Sequence, residues 1–319
     1  MSGWARLRRG ESTVDFVGHR RRWFTISAAL LLLSLTSLGV RQLNLGIEFV
    51  GGLAMQSPNP AGAAVDEVRD VLADVGVAKA TIQFLDDGAS VRVTTPVLDE
   101  QTEDAAIEVL GAVTGAESGE VSIETVGPSF GALLVQRSLE ALGFFLGAVV
   151  LYISWRLEFK MAVAGLAALT HDLAITVGVY AITGFPVTPA TVVAVLIILG
   201  YSLYDTVVVF DKVEELVEVE EKKTYSEIVN QAMNSVLARS LATSLTSLLP
   251  VGSILFVGAF VLGAPTLRDF ALALFVGIAA GTYSSIFVAS PLLAFWKERE
   301  DEWMLRAERS RRRSGQARA

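Results

Sequence analysis

Six apolar runs divide the chain, at about Trp23–Val40, Ser138–Trp155, Met161–Phe185, Pro189–Phe210, Ser240–Leu262 and Phe270–Trp296. A helix needs roughly 17–25 apolar residues to cross a bilayer, so each run predicts a membrane span. Between the first two runs the period changes. Leu43–Phe49 reads as a strand, and Ala63–Val75 sets Val65, Val68, Val71 and Leu72 on one helical stripe. Ala80–Leu85 and Ser90–Thr95 read as strands joined through the hairpin signal Asp86-Asp87-Gly88. Glu100–Val113 is helical and Val121–Val126 is a last strand. The pattern predicts a polytopic α-helical membrane protein with six transmembrane helices. The order βαββαβ predicts an α+β, ferredoxin-like sandwich of about 80 residues between spans one and two. Gly51-Gly52, just after Phe49, is read as a tight turn that closes the first strand.

Composition agrees with the spans. Hydrophobic residues make up 52% of the chain and charged residues 19%, against about 25% charged in a typical soluble domain. There is no cysteine, and the only histidines are His19 and His171. A disulfide framework, a thiolate metal site and a histidine cluster are therefore excluded, and no metal or cofactor is expected.

The placement of charge orients the spans. Arg6, Arg8, Arg9, Arg20, Arg21 and Arg22 precede the first, and Lys297, Arg299, Arg306, Arg309, Arg311, Arg312, Arg313 and Arg318 follow the last. Arg156 and Lys160 follow span two; Lys212, Lys222 and Lys223 follow span four. These ends are expected in the cytoplasm, and an even number of spans puts both termini there. Gln42–Gly131 then lies outside, with three basic residues (Arg69, Lys79, Arg92) against fifteen acidic ones, an imbalance read mainly as solubility. The expected layout is a basic cytoplasmic N-terminus at 1–22, span one at 23–41, the extracytoplasmic sandwich at 42–133, spans two to six at 134–296, and a basic cytoplasmic tail at 297–319. Span one is read as a retained signal anchor, since no A-x-A site follows it. An amphipathic segment at about 212–236 is expected as a helix along the inner surface, with Val217, Val219, Tyr225, Ile228, Val229 and Met233 facing lipid headgroups or packing under the bundle. The tail after Glu308 is expected to be solvated and disordered, with anionic-lipid or ribosome contact as the sharper alternative.

The chemistry is sought inside the membrane. A carboxylate at the centre of a membrane helix costs roughly 2.5–3.5 kcal/mol on insertion scales, yet Asp205 sits in span four, roughly 9 Å from its inner end at 1.5 Å per residue. Arg239 enters span five to a similar depth, roughly 8 Å. A carboxyl beside an arginine, poised between protonated and ionised forms, is what a proton relay requires. Arg239, Thr243, Thr246 and Pro250 recur at helical spacing, with Ser240, Ser244 and Ser247 beside them. Pro250 withdraws a hydrogen bond from the carbonyl of Thr246. His171, Asp172, Ser202, Thr282, Ser284 and Ser285 add intramembrane polarity, and Gly277-x-x-x-Gly281 is a close-packing signature. The bland alternative is an Asp–Arg pair and small hydroxyl residues that only hold helices together. The acids of the outer segment are scattered over helix surfaces and form no catalytic constellation, so an enzyme is not expected.

Five blocks carry a resemblance: LNLGIEFVGG (Leu43–Gly52), LTHDLAITVGVY (Leu169–Tyr180), GYSLYDTVVVFDKVEE (Gly200–Glu215), ARSLATSLTSLLP (Ala238–Pro250) and GTYSSIFVASPLL (Gly281–Leu293). In this order they resemble the SecF family, over about Val14–Trp296. The resemblance implies membership of the resistance-nodulation-division superfamily and a place in the cytoplasmic membrane. It implies partnership with SecD and the SecYEG channel, and use of the proton gradient to help pull unfolded preproteins outward. It implies no nucleic-acid partner. It gives Asp205 and Arg239 the roles of transmembrane aspartate and next-span arginine. This chain departs from the family pattern at Glu48-Phe49-Val50, where Asp-Phe-Thr is common, and at Tyr204, where Asn commonly precedes the aspartate. The rivals are an RND-type exporter half for small molecules or lipids, and a structural translocon subunit that moves no protons.

Overall fold

The computed structural model describes residues 14–316 apart from 79, 86–87, 118 and 260–264. Arg6, Arg8, Arg9, Lys79, the Asp86-Asp87 turn, Leu262 and Arg318 lie outside the described residues. In chain order the elements are α1 (Arg20–Arg41), α2 (Ile47–Val50), β1 (Gly52–Pro58), α3 (Val65–Asp74), β2 (Thr81–Leu85), β3 (Ser90–Thr95), α4 (Glu100–Thr114) and β4 (Ser122–Val126). Then come α5 (Pro128–Arg156), α6 (Phe159–Thr183), α7 (Pro189–Val219) and α8 (Tyr225–Ser253), which runs into a π-helical turn at Ile254–Ala259. The chain ends with α9 (Pro265–Ser284), a second π turn (Ser285–Ala289), α10 (Ser290–Lys297) and α11 (Asp301–Gln316).

Six of these helical stretches are long and apolar enough to cross a membrane: Arg20–Arg41, Ser129–Arg156, Phe159–Thr183, Pro189–Val219, Tyr225–Val257 and Arg268–Lys297. The chain is a multi-pass membrane protein, as its apolar runs predict. Helix α7 has 31 residues, roughly 46 Å at 1.5 Å per residue. That exceeds a hydrocarbon core of about 30 Å, so its charged last turns reach past the core into the headgroup zone.

Between α1 and α5 the strands form one antiparallel sheet in the order β2-β3-β1-β4. Alternation points Leu53 and Met55 of β1 and Val91 and Val93 of β3 toward Val68 and Leu72 of α3 and Ala106 and Leu110 of α4, all at 0% exposure. Full burial of each larger side chain stabilises by about 1.5–3 kcal/mol. Asp99 caps α4 by accepting a hydrogen bond from the Thr102 amide, and left-handed Gly115 ends the helix.

The first block corrects the sequence reading. Leu43–Phe49 is not a strand, and Gly51-Gly52 opens β1 instead of closing a strand. Asn44 and Gly46 pair with Val187 in the connection between α6 and α7. Ile47 and Phe49 then bury themselves in the helical turn α2. Gly51 (φ 75°) and Gly52 (φ 145°) sit where L side chains rarely go. A Cβ at Gly52 would lie 2.4 Å from the Thr95 carbonyl oxygen, so glycine lets β1 start flush against β3. Gly131 similarly admits the Phe49 carbonyl, 2.5 Å from where its Cβ would be, and seats α2 on the first turn of α5. Phe49, Gly51 and Gly52 thus join the sandwich to the bundle.

Two further corrections fall at the Arg/Lys-rich end. The 212–236 segment is no separate surface helix: α7 continues to Val219, and α8 starts at Tyr225 behind the Thr224–Glu227 capping box. Of the two placements open to them, Tyr225, Ile228, Val229 and Met233 take the one under the bundle, packing with Phe16, Phe210, Leu293 and Trp303. The tail is not irregular either. It forms α11, held by the Trp303 ring edge-to-face on Tyr225 with centroids 4.7 Å apart. At the same end the side chain of Asn230 accepts from the amides of Phe16 and Val17 (2.9 and 3.0 Å), clasping the segment before α1 to α8.

Candidate functional site

Two buried carboxyls face neighbouring helices in the middle of the bundle. Asp172 of α6, at 0% exposure, accepts from Ser202 Oγ of α7 (2.6 Å) and Ser284 Oγ of α9 (2.8 Å) on one oxygen, and its other oxygen lies 3.1 Å from His171 Nδ1. Small residues bring these helices close enough. A Cβ on Gly281 would lie 2.8 Å from Ser202 Cβ, and one on Gly277 2.3 Å from Ile198 Cδ1, so the two glycines let α9 lie directly on α7. The His171 ring stacks on Tyr283, whose hydroxyl donates to the Trp23 carbonyl of α1 (3.0 Å).

Asp205 of α7, 6% exposed, turns toward α8 and accepts a hydrogen bond from Ser240 Oγ. A hydroxyl line continues from there. Ser244 Oγ donates to the Ser240 carbonyl (2.8 Å), and Thr282 Oγ1 of α9 donates to Ser244 Oγ (2.7 Å). One residue on from Asp205, Thr206 Oγ1 lies 2.9 Å from Ser285 Oγ, which also donates to the Gly281 carbonyl (2.8 Å). Ser285 opens the π turn at Ser285–Ala289, an irregularity common at functional positions. Acids, hydroxyls and the Ser240 and Gly281 carbonyls thus tie α6, α7, α8 and α9 together.

Not every residue marked by the sequence meets here. The expected Asp205–Arg239 ion pair is absent among the described residues. Arg239 is exposed on the side of α8, and its Nη2 donates to Tyr204 Oη (2.8 Å). The physical reason is helical phase: Ser240, one residue on, takes the position facing Asp205. Thr243 and Thr246 also turn away, donating to carbonyls of their own helix. Beyond Pro250 the helix loosens into the π turn at Ile254–Ala259. His171, Asp172, Ser202, Ser284 and Ser285 do come together with Asp205 around α7. Thr206 and Tyr283 belong to the cluster as well; Thr206 follows the aspartate directly, and Tyr283 lies inside the Gly281–Leu293 block. No cluster of three or more metal-type ligands occurs among the described residues.

The comparisons bear on what such a bundle does. Residues 107–299 match the family model described as "Protein export membrane protein SecD/SecF, C-terminal". The protein translocase subunit SecF of Streptomyces coelicolor is 42% identical over 301 residues, 93% of this chain and 80% of that one. The SecF of Mycobacterium leprae is 38% identical over 94% of this chain and 68% of its own. A crystal structure of SecDF from Thermus thermophilus, described as a translocon-associated membrane protein, superposes with a TM-score of 0.82 at 33% identity, over 91% of this chain. A SecDF structure in a "Super-membrane-facing form" gives 0.66 at 32% identity, over 97%. The chain spans 39% and 40% of the length of those two SecDF chains. From the family match and the SecF relatives, the chain belongs to the SecD/SecF family of protein-export membrane proteins.

Proposed function

We propose that the chain is the SecF half of a SecD–SecF pair and couples proton movement to protein export through SecYEG. One observation carries this reading. Asp205 is buried among apolar helices with the Ser240 hydroxyl of α8 as its hydrogen-bond partner, and Arg239, the residue beside Ser240, stays near it on Tyr204 without closing an ion pair among the described residues. A membrane interior tolerates such a group where its proton is the working part. Protonating it changes what Ser240 meets, and with it the fit of α7 against α8. Thr282 bonds Ser244, which is back-bonded to the Ser240 carbonyl, so a shift of this part of α8 reaches α9, and the Asp172 cluster holds α6, α7 and α9 as the frame. Arg239 and Tyr204, on an exposed face of α7 and α8, are available to the partner half.

By the distribution of Arg and Lys, both termini are cytoplasmic, in the cell membrane, and residues 42–133 lie outside. The βαββαβ order and the strand order β2-β3-β1-β4 support reading that unit as ferredoxin-like. Its mounting on Gly51-Gly52 and the Asn44–Val187 pairing, which ties it to the bundle, supports a role in holding or pulling an emerging preprotein. The non-enzymatic character follows from the same reading.

The test is secretion by vesicles reconstituted with this chain, its SecD half and the channel. An imposed proton gradient is expected to raise preprotein yield, and a protonophore to remove the gain. An unchanged yield with the protonophore favours the structural-subunit reading. Loss of a small hydrophobic solute from the vesicles, in place of a gain in preprotein, favours the exporter reading.

A further inference from the structure

Helix α11 starts four residues after the last span ends at Lys297. Its Trp303 face is committed to the bundle through Tyr225. On a helix at 100° per residue, Leu305, Glu308, Arg309 and Arg312 then fall on the opposite side. All four are exposed, as is Met304 beside them. Between α11 and the α7–α8 turn lies a groove of about 340 Å³ lined by Glu221, Lys222, Arg306, Arg309 and Ser310. Three of these five are cations.

Arg306 supplies an independent sign. Its Nη2 donates to Glu302 (3.1 Å), and its guanidinium lies 4.5 Å over the Trp303 ring. Its Nη1 is buried with no hydrogen-bond partner among the described residues. A buried guanidinium donor left open beside Lys222 and Arg309 asks for an anion.

We propose that this groove takes the phosphate of an anionic phospholipid, while Met304 and Leu305 enter the bilayer surface. The lipid is favoured over RNA because the cations adjoin exposed apolar side chains immediately after a membrane span, the arrangement of an interfacial helix. Glu221, Glu302 and Glu308 balance the three cations in formal charge, so the attraction comes from the local donors of Lys222, Arg306 and Arg309 and not from a net positive patch. The contact fixes the helix that braces Tyr225, and so the membrane-flanking hairpin of α7 and α8. It is independent of whether Asp205 carries a proton.

The chain has no cysteine, so Leu305→Cys can carry a single polarity-sensitive dye. In vesicles of phosphatidylcholine containing phosphatidylglycerol, the dye is expected to shift to the blue and to be quenched by lipid-borne spin labels. High salt reverses both effects. Lys222→Glu with Arg309→Glu weakens the response by roughly fivefold or more for each cation lost, while circular dichroism of the whole chain stays unchanged. Equal quenching in pure phosphatidylcholine, indifference to the charge reversals, release by low concentrations of inorganic phosphate, or a response to RNA and not to lipid would each overturn the proposal.

Discussion

Asp205→Asn is expected to leave the chain folded and inserted while abolishing the gradient-dependent part of secretion. The amide oxygen still accepts from Ser240, where the carboxyl accepts now, so the α7–α8 contact keeps its hydrogen bond. What disappears is the titratable proton. One charge crossing 100 mV is worth about 2.3 kcal/mol, a bias of about fifty-fold in an equilibrium. Secretion by reconstituted vesicles with a gradient should therefore fall to the level seen without one. Asp205→Glu, which keeps the proton on a longer arm, should retain part of the gain. A stably inserted Asn variant that secretes at the normal rate removes Asp205 from the coupling.

Asp172→Ala is expected to do something different, namely to destabilise the bundle. Three groups converge on this carboxyl, and all are buried: Ser202, Ser284 and His171. Removing it strands polar groups that water cannot reach, at about 1–3 kcal/mol each. It also leaves a void among helices packed on glycine. Together this should cost about 3–5 kcal/mol, the scale of breaking a buried polar pairing. Asp172→Asn keeps an acceptor for the two serines and should lose far less. Thermal unfolding in detergent separates the two variants. If Ala and Asn melt alike, near the parent, the cluster is not the frame described above.

The spans and the sandwich were legible because burial imposes a period. Val65, Val68 and Leu72 announce α3, and the alternation in Ser90–Thr95 announces β3. Asp205 was legible because a carboxylate in an apolar run has few explanations. Its partner was not. Arg239 and Ser240 are adjacent, so a rotation of one helical step decides which of them meets Asp205 and which meets Tyr204 of α7, and residue type does not tell them apart. The first block failed for a related reason. Leu43–Phe49 has a strand's composition, but its backbone hydrogen bonds go to Val187, some 140 residues away, and that pairing leaves no trace in the local pattern. The tail misled in another way. Its arginines Arg309 and Arg312 are exposed, as their charge predicts, but the disorder expected after Glu308 gives way to a helix that Trp303, five residues upstream, anchors.

The central claim is that the proton on Asp205 sets how α7 and α8 fit together. Val193 of α7 and Leu249 of α8 are both exposed near the sandwich end of the bundle, and a chain without cysteine can be spin-labelled at these two positions alone. The direct measurement is their distance distribution by double electron–electron resonance, in vesicles with the SecD half, before and after acidification. The expected result is a shift in the parent chain and none in Asp205→Asn, which stays at one distance under both conditions. A parent chain that does not shift, or an Asn variant that shifts just as the parent does, contradicts the claim.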